Sequence, residues 1–219
     1  MAMNSLQWWS YELVVLLSGI LPNPQLETSV MTICFIVASL HYNIPYSFST
    51  ALESVSNELD AGHAEAARLA AWVATFLAVI ETVIASTTLF SCRSILGYAF
   101  GDEKELVDYV KEMTPFLCFT IMADSLANMF SRVARGVGRQ RLAAYVNLGA
   151  FYLCGIPMAC VLAFVFQWRG KGLWIGLATA SLLQSSMLIM ITFFTDWEKQ
   201  ARNTRKRIFE GRSQLSTIE

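Results

Sequence analysis

The chain has 219 residues, of which 55% are hydrophobic and only 15% are charged. Soluble domains carry about 25% charged residues, so this composition excludes an ordinary soluble domain and indicates a polytopic membrane protein. The net charge of −1 gives no reason to expect a nucleic-acid partner, because the charges are grouped by position into loops.

Apolar stretches of membrane-spanning length recur along the whole chain. A helix needs about 20 residues to cross ~30 Å of hydrocarbon. We therefore predict an all-α polytopic membrane protein with about six transmembrane helices. The predicted spans are residues 3–21, 28–52, 68–91, 110–131, 143–166 and 172–194. The first begins almost at Met1 without a preceding basic segment, so we expect a span that is trimmed at its start rather than a cleaved signal peptide.

The positions of Lys and Arg predict the orientation of these spans. Residues 132–141 contain four Arg and no acid, and residues 199–212 contain six basic residues. Short basic segments stay in the cytoplasm, so we expect both segments and both chain termini there. Residues 56–67 fall on the same side although they are acidic.

Asp124 is the most informative residue within the predicted spans. Thr120 and Asn128 lie one helical turn before and after it, so the three side chains share one face. Because a carboxylate in hydrocarbon is costly, we predict that Asp124 is a protonatable group facing a cavity inside the bundle. The alternative is a structural carboxylate that is hydrogen-bonded to Asn128 and a neighbouring helix.

Other acids and aromatic residues within the spans leave more alternatives open. Glu81 lies near the middle of a span and is equally compatible with a functional and a structural role. Glu12 lies one or two turns into the first span and faces either the cavity or the interface. Trp8 and Trp9 form either a stacking wall for a flat ligand or part of the interfacial aromatic belt.

The remaining polar residues of the spans are predicted to form hydrogen bonds between helices, with a cavity contact as the alternative. They include Asn147, Tyr152 and Gln184. We interpret His41 and His63 as structural, because neither has a second His at metal-ligand spacing.

No motif of a soluble enzyme is present in the sequence, which lacks G-x-S-x-G, a P-loop, H-E-x-x-H and G-x-G-x-x-G. The five cysteines have no C-x-x-C spacing, so the sequence supports neither a disulfide framework nor a metal site. We therefore expect no enzyme activity, no cofactor and no metal.

Short motifs throughout the chain resemble those of the plant DETOXIFICATION branch of the MATE (multidrug and toxic compound extrusion) family. They are LQWWSYEL at 6–13, LLSGILPNPQLETSV at 16–30, VSNEL at 55–59, AAR at 66–68, VARGVG at 133–138, VNLG at 146–149, GIP at 155–157, GLWIG at 172–176 and TDWE at 195–198.

The resemblance implies a fold and a function. Members of the family have twelve helices in two six-helix lobes around a central cavity, and this chain resembles the second lobe only. Residues 1–195 would form this C-terminal lobe, and residues 196–219 a basic cytoplasmic tail. Repeated halves of transporters move against each other around a central site, so a missing N-terminal lobe or a second copy is the expected partner.

The resemblance also assigns roles to individual residues. The family usually has Glu at the position of Gln7, and that Glu forms the expected proton-binding pair with the residue matching Asp124. Glu12 is a second proton-coupling candidate, but it lies five residues and about 140° around the helix from position 7. Candidate cavity or substrate residues are Gln7, Trp8, Thr120, Asn128, Asn147, Tyr152 and Gln184.

The hypothesis is a proton-coupled antiporter that exports organic compounds such as xenobiotics and secondary metabolites. It would act in the plasma membrane or the vacuolar membrane, with small organic substrates, protons and the lipid bilayer as its partners and no nucleic acid. The alternative is a truncated, non-transporting MATE fragment with at most a regulatory or associative role. An integral-membrane enzyme is disfavoured, because no nucleophile or metal cluster lies in a loop.

Overall fold

The computed structural model describes residues 2–46 and 49–202, with side chains at 7–42 and 55–202. All regular elements of this part of the chain are helical, which confirms the predicted all-α membrane fold. Residues 203–219, which make up most of the predicted basic tail, lie outside it. The α-helices are α1 Ala2–Ser18, α2 Pro24–Tyr46, α3 Ser49–Asp60, α4 Ala64–Ser91, α5 Arg93–Leu96, α6 Lys104–Gly136, α7 Gln140–Leu148, α8 Ile156–Cys160 and α9 Arg169–Phe193.

Three helical segments are long and apolar enough to cross a membrane, judged by length and composition within the described part of the chain. They are Ala64–Ser91, Gln140–Val165 and Arg169–Phe193, and each coincides with a predicted span. The second segment is continuous because wider π-helical turns at Gly149–Gly155 and Val161–Val165 join and extend α7 and α8. The helices α1, α2 and α6 lie along the other three predicted spans.

The long helices of the bundle connect two ends that differ in charge. We call one the acidic end, since Glu103, Glu105 and Asp108 lie there at the start of α6. The opposite end, which carries Arg135 and Arg139 where α6 passes to α7, is the basic end. Turns with positive φ occur at both ends, and at the basic end they fall on glycine, at Gly62 (φ 85°) and Gly138 (φ 78°). Glycine adopts this conformation without steric cost, which explains the sharp helix ends there.

Helix α6 is the centre of the bundle. It packs along α9 over most of its length and also contacts α4 and α2. The main core lies between α1, α2, α6, α9 and the α8 segment with its π-helical turns. It includes the fully buried side chains Met113, Leu117, Phe151, Trp174 and Leu177. An acid on α6 is therefore placed where several helices meet.

A buried carboxylate joins three helices at the acidic end. Glu27 in the first turn of α2 is 2% exposed. Its Oε2 accepts hydrogen bonds from the Tyr109 hydroxyl of α6 at 2.8 Å and from the Gly170 N–H of α9 at 3.1 Å. The first N–H groups of a helix have no partner within the helix and carry positive partial charge, so Glu27 caps α9 favourably.

Small residues bring α8 and its π-helical flanks close to α9. A Cβ atom on Gly176 would lie 2.4 Å from the Cβ of Ala159, and one on Gly172 would lie 2.7 Å from the backbone N of Ala163. Two glycines spaced four residues apart, such as Gly172 and Gly176, permit this close approach of two helices. At Gly155 a Cβ would similarly lie 2.6 Å from the Cβ of Ala180.

The variant Gly176→Ala should be destabilised, because the added methyl group overlaps backbone and side-chain atoms of Ala159. We expect a loss of about 1–3 kcal/mol in the free energy of unfolding, measured in detergent micelles. Gly149→Ala is the matched control, since a Cβ at Gly149 meets no atom within 4 Å. Because Gly149 is in a helical segment, this substitution should raise the free energy of unfolding by about 0.5–1 kcal/mol. Equal stability of the two variants would contradict the packing described here.

Candidate functional site

The carboxylate of Asp124 on α6 is held by two side chains of α1. The Tyr11 hydroxyl donates a hydrogen bond to Oδ2 at 2.5 Å, and the Gln7 Nε2 donates a longer one to Oδ1 at 3.3 Å. Gln7 and Tyr11 are four residues apart and therefore lie on the same face of α1. Both carboxylate oxygens thus accept a hydrogen bond from the same helix.

Aromatic rings fix the position of the Tyr11 side chain. Its ring lies 5.9 Å from that of Trp174 and 6.3 Å from that of Phe151, measured between centroids, and 6.1 Å from that of Phe35. These contacts come from α9, the π-helical turn after α7, and α2. The buried hydroxyl of Ser181 on α9 donates to the backbone oxygen of Leu177 at 3.1 Å. The phenol is therefore held in place from three sides while its hydroxyl contacts the carboxylate.

Helix α6 turns the polar side chains around Asp124 toward the interior of the bundle. Thr120 is fully buried and donates to the backbone oxygen of Phe116 at 2.9 Å. Asn128 is partly buried, while Phe119 and Met122 on other faces are 49% and 40% exposed. The inward placement agrees with the helical spacing of the polar residues, and Thr120 satisfies its hydroxyl within its own helix.

Two small cavities adjoin Asp124, each with about 30 Å³ of room for the centre of a water molecule. A water molecule needs ~10–15 Å³, so each cavity has room for at least one. The first lies between α1 and α2, and Gln7, Trp8 and Tyr11 line it. The second lies between α2 and α6, on the side of the basic end, and we call it the His41 cavity. It is lined by Ala38, His41, Tyr42, Ile121, Asp124, Ser125, Asn128 and Arg132.

The two neighbouring tryptophans of α1 have different environments. Trp8 packs edge-on against Phe35 and Tyr42 of α2, with ring centroids 5.5 and 5.3 Å apart. Trp9 is exposed on the outer surface. Trp8 is thus a wall residue of the first cavity, and Trp9 has the exposed position expected of an interfacial aromatic residue.

The structure separates the other candidate residues from Asp124. Glu12 is exposed, and neither cavity beside Asp124 includes it. Tyr152 packs against the main core and lines neither cavity. Asn147 and Gln184 are almost fully buried, and their amide oxygens have no hydrogen-bond partner among the described residues. These two amides are unsatisfied polar groups inside the bundle.

Sequence reasoning did not single out two features of this region. Tyr11 is one. Its spacing of four residues from Gln7 could have identified it, because it places Tyr11 on the face of α1 that Gln7 presents to Asp124. The other is a contact between His41 of α2 and Glu81 of α4, whose Nε2 and Oε1 atoms are 3.3 Å apart. No sequence signal joins these two residues, which are 40 positions apart in the chain. Among the described residues, no group of three His, Cys, Asp or Glu side chains is arranged to hold a metal ion.

A comparison with known families decides the classification of the chain. The family model MatE matches residues 1–161, which is most of the sequence. The chain belongs to the MatE family. Among its relatives in Arabidopsis thaliana, protein DETOXIFICATION 8 is 48% identical over 209 residues, covering 95% of this chain and 43% of the relative. Protein DETOXIFICATION 14 is 47% identical over 208 residues, covering 94% and 43%.

Solved structures agree with this classification. The eukaryotic MATE transporter AtDTX14 superimposes with a TM-score of 0.90 at 47% sequence identity, covering 94% of this chain and 46% of that protein. The MATE transporter ClbM in complex with Rb+ has a TM-score of 0.79 at 15% identity, which supports the fold alone. The resemblance to DETOXIFICATION proteins is thus confirmed, and the chain is an integral membrane protein. It spans less than half the length of these relatives.

The Tyr11 to Asp124 hydrogen bond should be detectable as an energetic coupling. A double-mutant cycle of Tyr11→Phe and Asp124→Asn is expected to give an interaction energy of about 1.5–3 kcal/mol, the usual range for a hydrogen bond to a charged group. The measurement is the free energy of unfolding in detergent micelles at a pH where the acid is ionised.

Tyr145→Phe is the control for removal of a phenolic hydroxyl, since Tyr145 is exposed on α7. Its effect should add to that of Asp124→Asn without coupling. An additive Tyr11→Phe and Asp124→Asn pair would contradict the hydrogen bond described here.

Proposed function

We propose that this chain forms one lobe of a MATE antiporter, with residues 1–195 supplying the lobe, and that the antiporter exports small organic compounds in exchange for protons bound at Asp124. The observation that carries the proposal is the carboxylate of Asp124, which lies inside a bundle of membrane helices and accepts hydrogen bonds from Tyr11 and Gln7. Ionisable groups at such depth are costly and mark ion and proton pathways.

Protonation would change the contact between α1 and α6. The ionised carboxylate accepts hydrogen bonds at both oxygens, from Tyr11 and from Gln7. A proton on either oxygen turns that oxygen into a donor, which then faces another donor. Either the proton or a side chain must reorient, so the two charge states favour different arrangements of α1. A ligand shifts a conformational equilibrium by as much as it binds one state better than the other, and here the ligand is the proton.

Gln7 limits how many protons this contact can bind. The Gln7 amide does not bind a proton. Asp124 is therefore the single carboxylate in the hydrogen-bonded group formed by Gln7, Tyr11 and Asp124. A second carboxylate at position 7 would share protons with Asp124 and give two coupled titration steps. We therefore propose that Asp124 binds a single proton here, instead of the proton-binding pair that the family resemblance implies for these two positions.

The remaining features of the proposal concern the whole transporter. The second lobe would come from another chain or from a second copy of this one, and alternating access would follow from movement of the two lobes around the substrate. The arginines of the basic end favour a cytoplasmic location for that end and for both termini. Substrates would be organic compounds of the xenobiotic or secondary-metabolite class, carried across the plasma membrane or the vacuolar membrane.

A chimera tests this proposal with a complete transporter. The chain replaces the matching 208-residue alignment in protein DETOXIFICATION 14, and the product is reconstituted in proteoliposomes with a pH gradient. Uptake of a fluorescent organic cation is measured. Asp124→Asn should lower the initial rate by about tenfold or more, within the range of typical coupling between sites.

Asp102→Asn is the matched control, because it makes the same chemical change at an exposed position of the acidic end. Its initial rate should equal that of the unsubstituted chimera. Undiminished gradient-driven uptake by Asp124→Asn would show that Asp124 does not bind the coupling proton. A chimera that carries no substrate would contradict the assignment of this chain as a transport-competent lobe.

A further inference from the structure

A second pair of ionisable side chains lies within the same bundle. His41 on α2 and Glu81 on α4 approach to 3.3 Å between Nε2 and Oε1, and their side chains are only 11% and 15% exposed. The His41 contact is within ion-pair distance but lacks hydrogen-bond geometry, so the buried Nε2 has no hydrogen-bond partner among the described residues. Thr82 donates a hydrogen bond to the other Glu81 oxygen, at 3.3 Å. Removing two such groups from water costs several kcal/mol, and packed hydrophobic residues would often be as stable. Helix packing alone therefore gives little reason for this pair.

His41 is also connected to Asp124. Both side chains line the His41 cavity, which has room for at least one water molecule. The imidazole of His41 thus contacts the Glu81 carboxylate directly and shares a cavity with the Asp124 carboxylate. Histidine is the side chain best suited to pass a proton between such groups.

We propose that His41 and Glu81 form a second protonation site of this lobe, which exchanges a proton with Asp124 through the His41 cavity. The inference rests on the proposed function, because it gives the Asp124 proton an internal route. In the transfer, an imidazolium N–H of His41 loses its proton to a cavity water, and this water gives one of its own to an Asp124 oxygen. The His41 and Glu81 pair changes from net charge zero to −1, and Asp124 changes from −1 to zero.

Charged groups on several helices surround the cavity and act on both ends of this transfer. Helix α4 contributes Glu81, α6 contributes Asp124 and Arg132, and α1 contributes the phenol of Tyr11 behind Asp124. On α2 itself, Tyr42 adjoins His41, and no ionisable side chain of α9 lines this cavity. The positive charge of Arg132 disfavours a second positive charge at His41. It therefore helps the imidazolium to release its proton, whereas the carboxylate of Glu81 holds that proton and Arg132 also favours the ionised form of Asp124.

The two histidines of the chain make this site directly observable. In the 219-residue chain, labelled with carbon-13 at the histidine rings and reconstituted in nanodiscs, NMR follows both signals as the pH changes. Loss of the Asp124 charge in Asp124→Asn should weaken proton binding at His41 by about tenfold, equivalent to a shift of about one pH unit in its titration midpoint. His63, which is 68% exposed and pairs with Glu58 at 3.0 Å, is the internal control and should not shift.

A second variant separates coupling from loss of structure. Glu81→Gln leaves His41 without its partner and should weaken proton binding at His41 by more than Asp124→Asn does. If Glu81→Gln does not fold, the His41 signal in the unsubstituted chain and in Asp124→Asn still decides the question. A His41 signal that does not titrate, or whose midpoint is equal in the two chains, overturns the inference.

The outcomes distinguish this inference from the proposed function. If Asp124→Asn abolishes uptake in the chimera while the His41 midpoint is unchanged, the second site is wrong and the function of Asp124 stands. If the His41 midpoint shifts and uptake is undiminished, the two sites are coupled and the transport role of Asp124 is wrong.

Discussion

The hydrogen bond from Tyr11 to Asp124 is the interaction on which the organisation of this lobe depends. A carboxylate inside a membrane bundle needs donors, and α1 supplies two of them from one face, Tyr11 and Gln7. The aromatic neighbours of Tyr11 come from α2, α9 and the turn after α7, so the contact between α1 and α6 brings five parts of the bundle together. The same contact would respond to a proton, which links the packing of α1 to the charge of Asp124.

The lobe combines a tightly packed side with a more polar one. On the packed side, Gly172 and Gly176 bring α9 against α8 and its π-helical flanks. Glu27 joins α2, α6 and α9 at the acidic end. Close-packed interfaces of this kind do not deform gradually. On the polar side, Asp124 and the His41 and Glu81 pair adjoin water-sized cavities between α1, α2, α4 and α6. A change in protonation would therefore move α1 or α2 more readily than α9.

Periodicity and hydropathy predicted the helices and the inward orientation of Asp124, because both features can be assigned from the residues of a single helix. The family resemblance indicated that position 7 lies opposite Asp124, and the contact with Gln7 agrees with this placement. The role of Tyr11 and the contact of His41 with Glu81 depend on how separate helices are rotated against each other, which spacing within one helix does not encode. The exposure of Glu12 likewise depends on the rotation of α1 against its neighbours, which the spacing of residues along α1 does not encode. The π-helical turns at Gly149–Gly155 and Val161–Val165 likewise have no clear sequence signature.

The most direct test of this account measures whether the proton on Asp124 controls the position of α1. Spin labels are placed at Leu16→Cys on α1 and Phe119→Cys on α6, both exposed positions, in a chain whose native cysteines are replaced by alanine. Their distance distribution is measured by pulsed electron paramagnetic resonance in nanodiscs at high and at low pH. The account predicts a pH-dependent change in this distribution, and it predicts that Asp124→Asn gives the low-pH distribution at both values. A distribution that does not respond to pH, or that responds equally in Asp124→Asn, would contradict it.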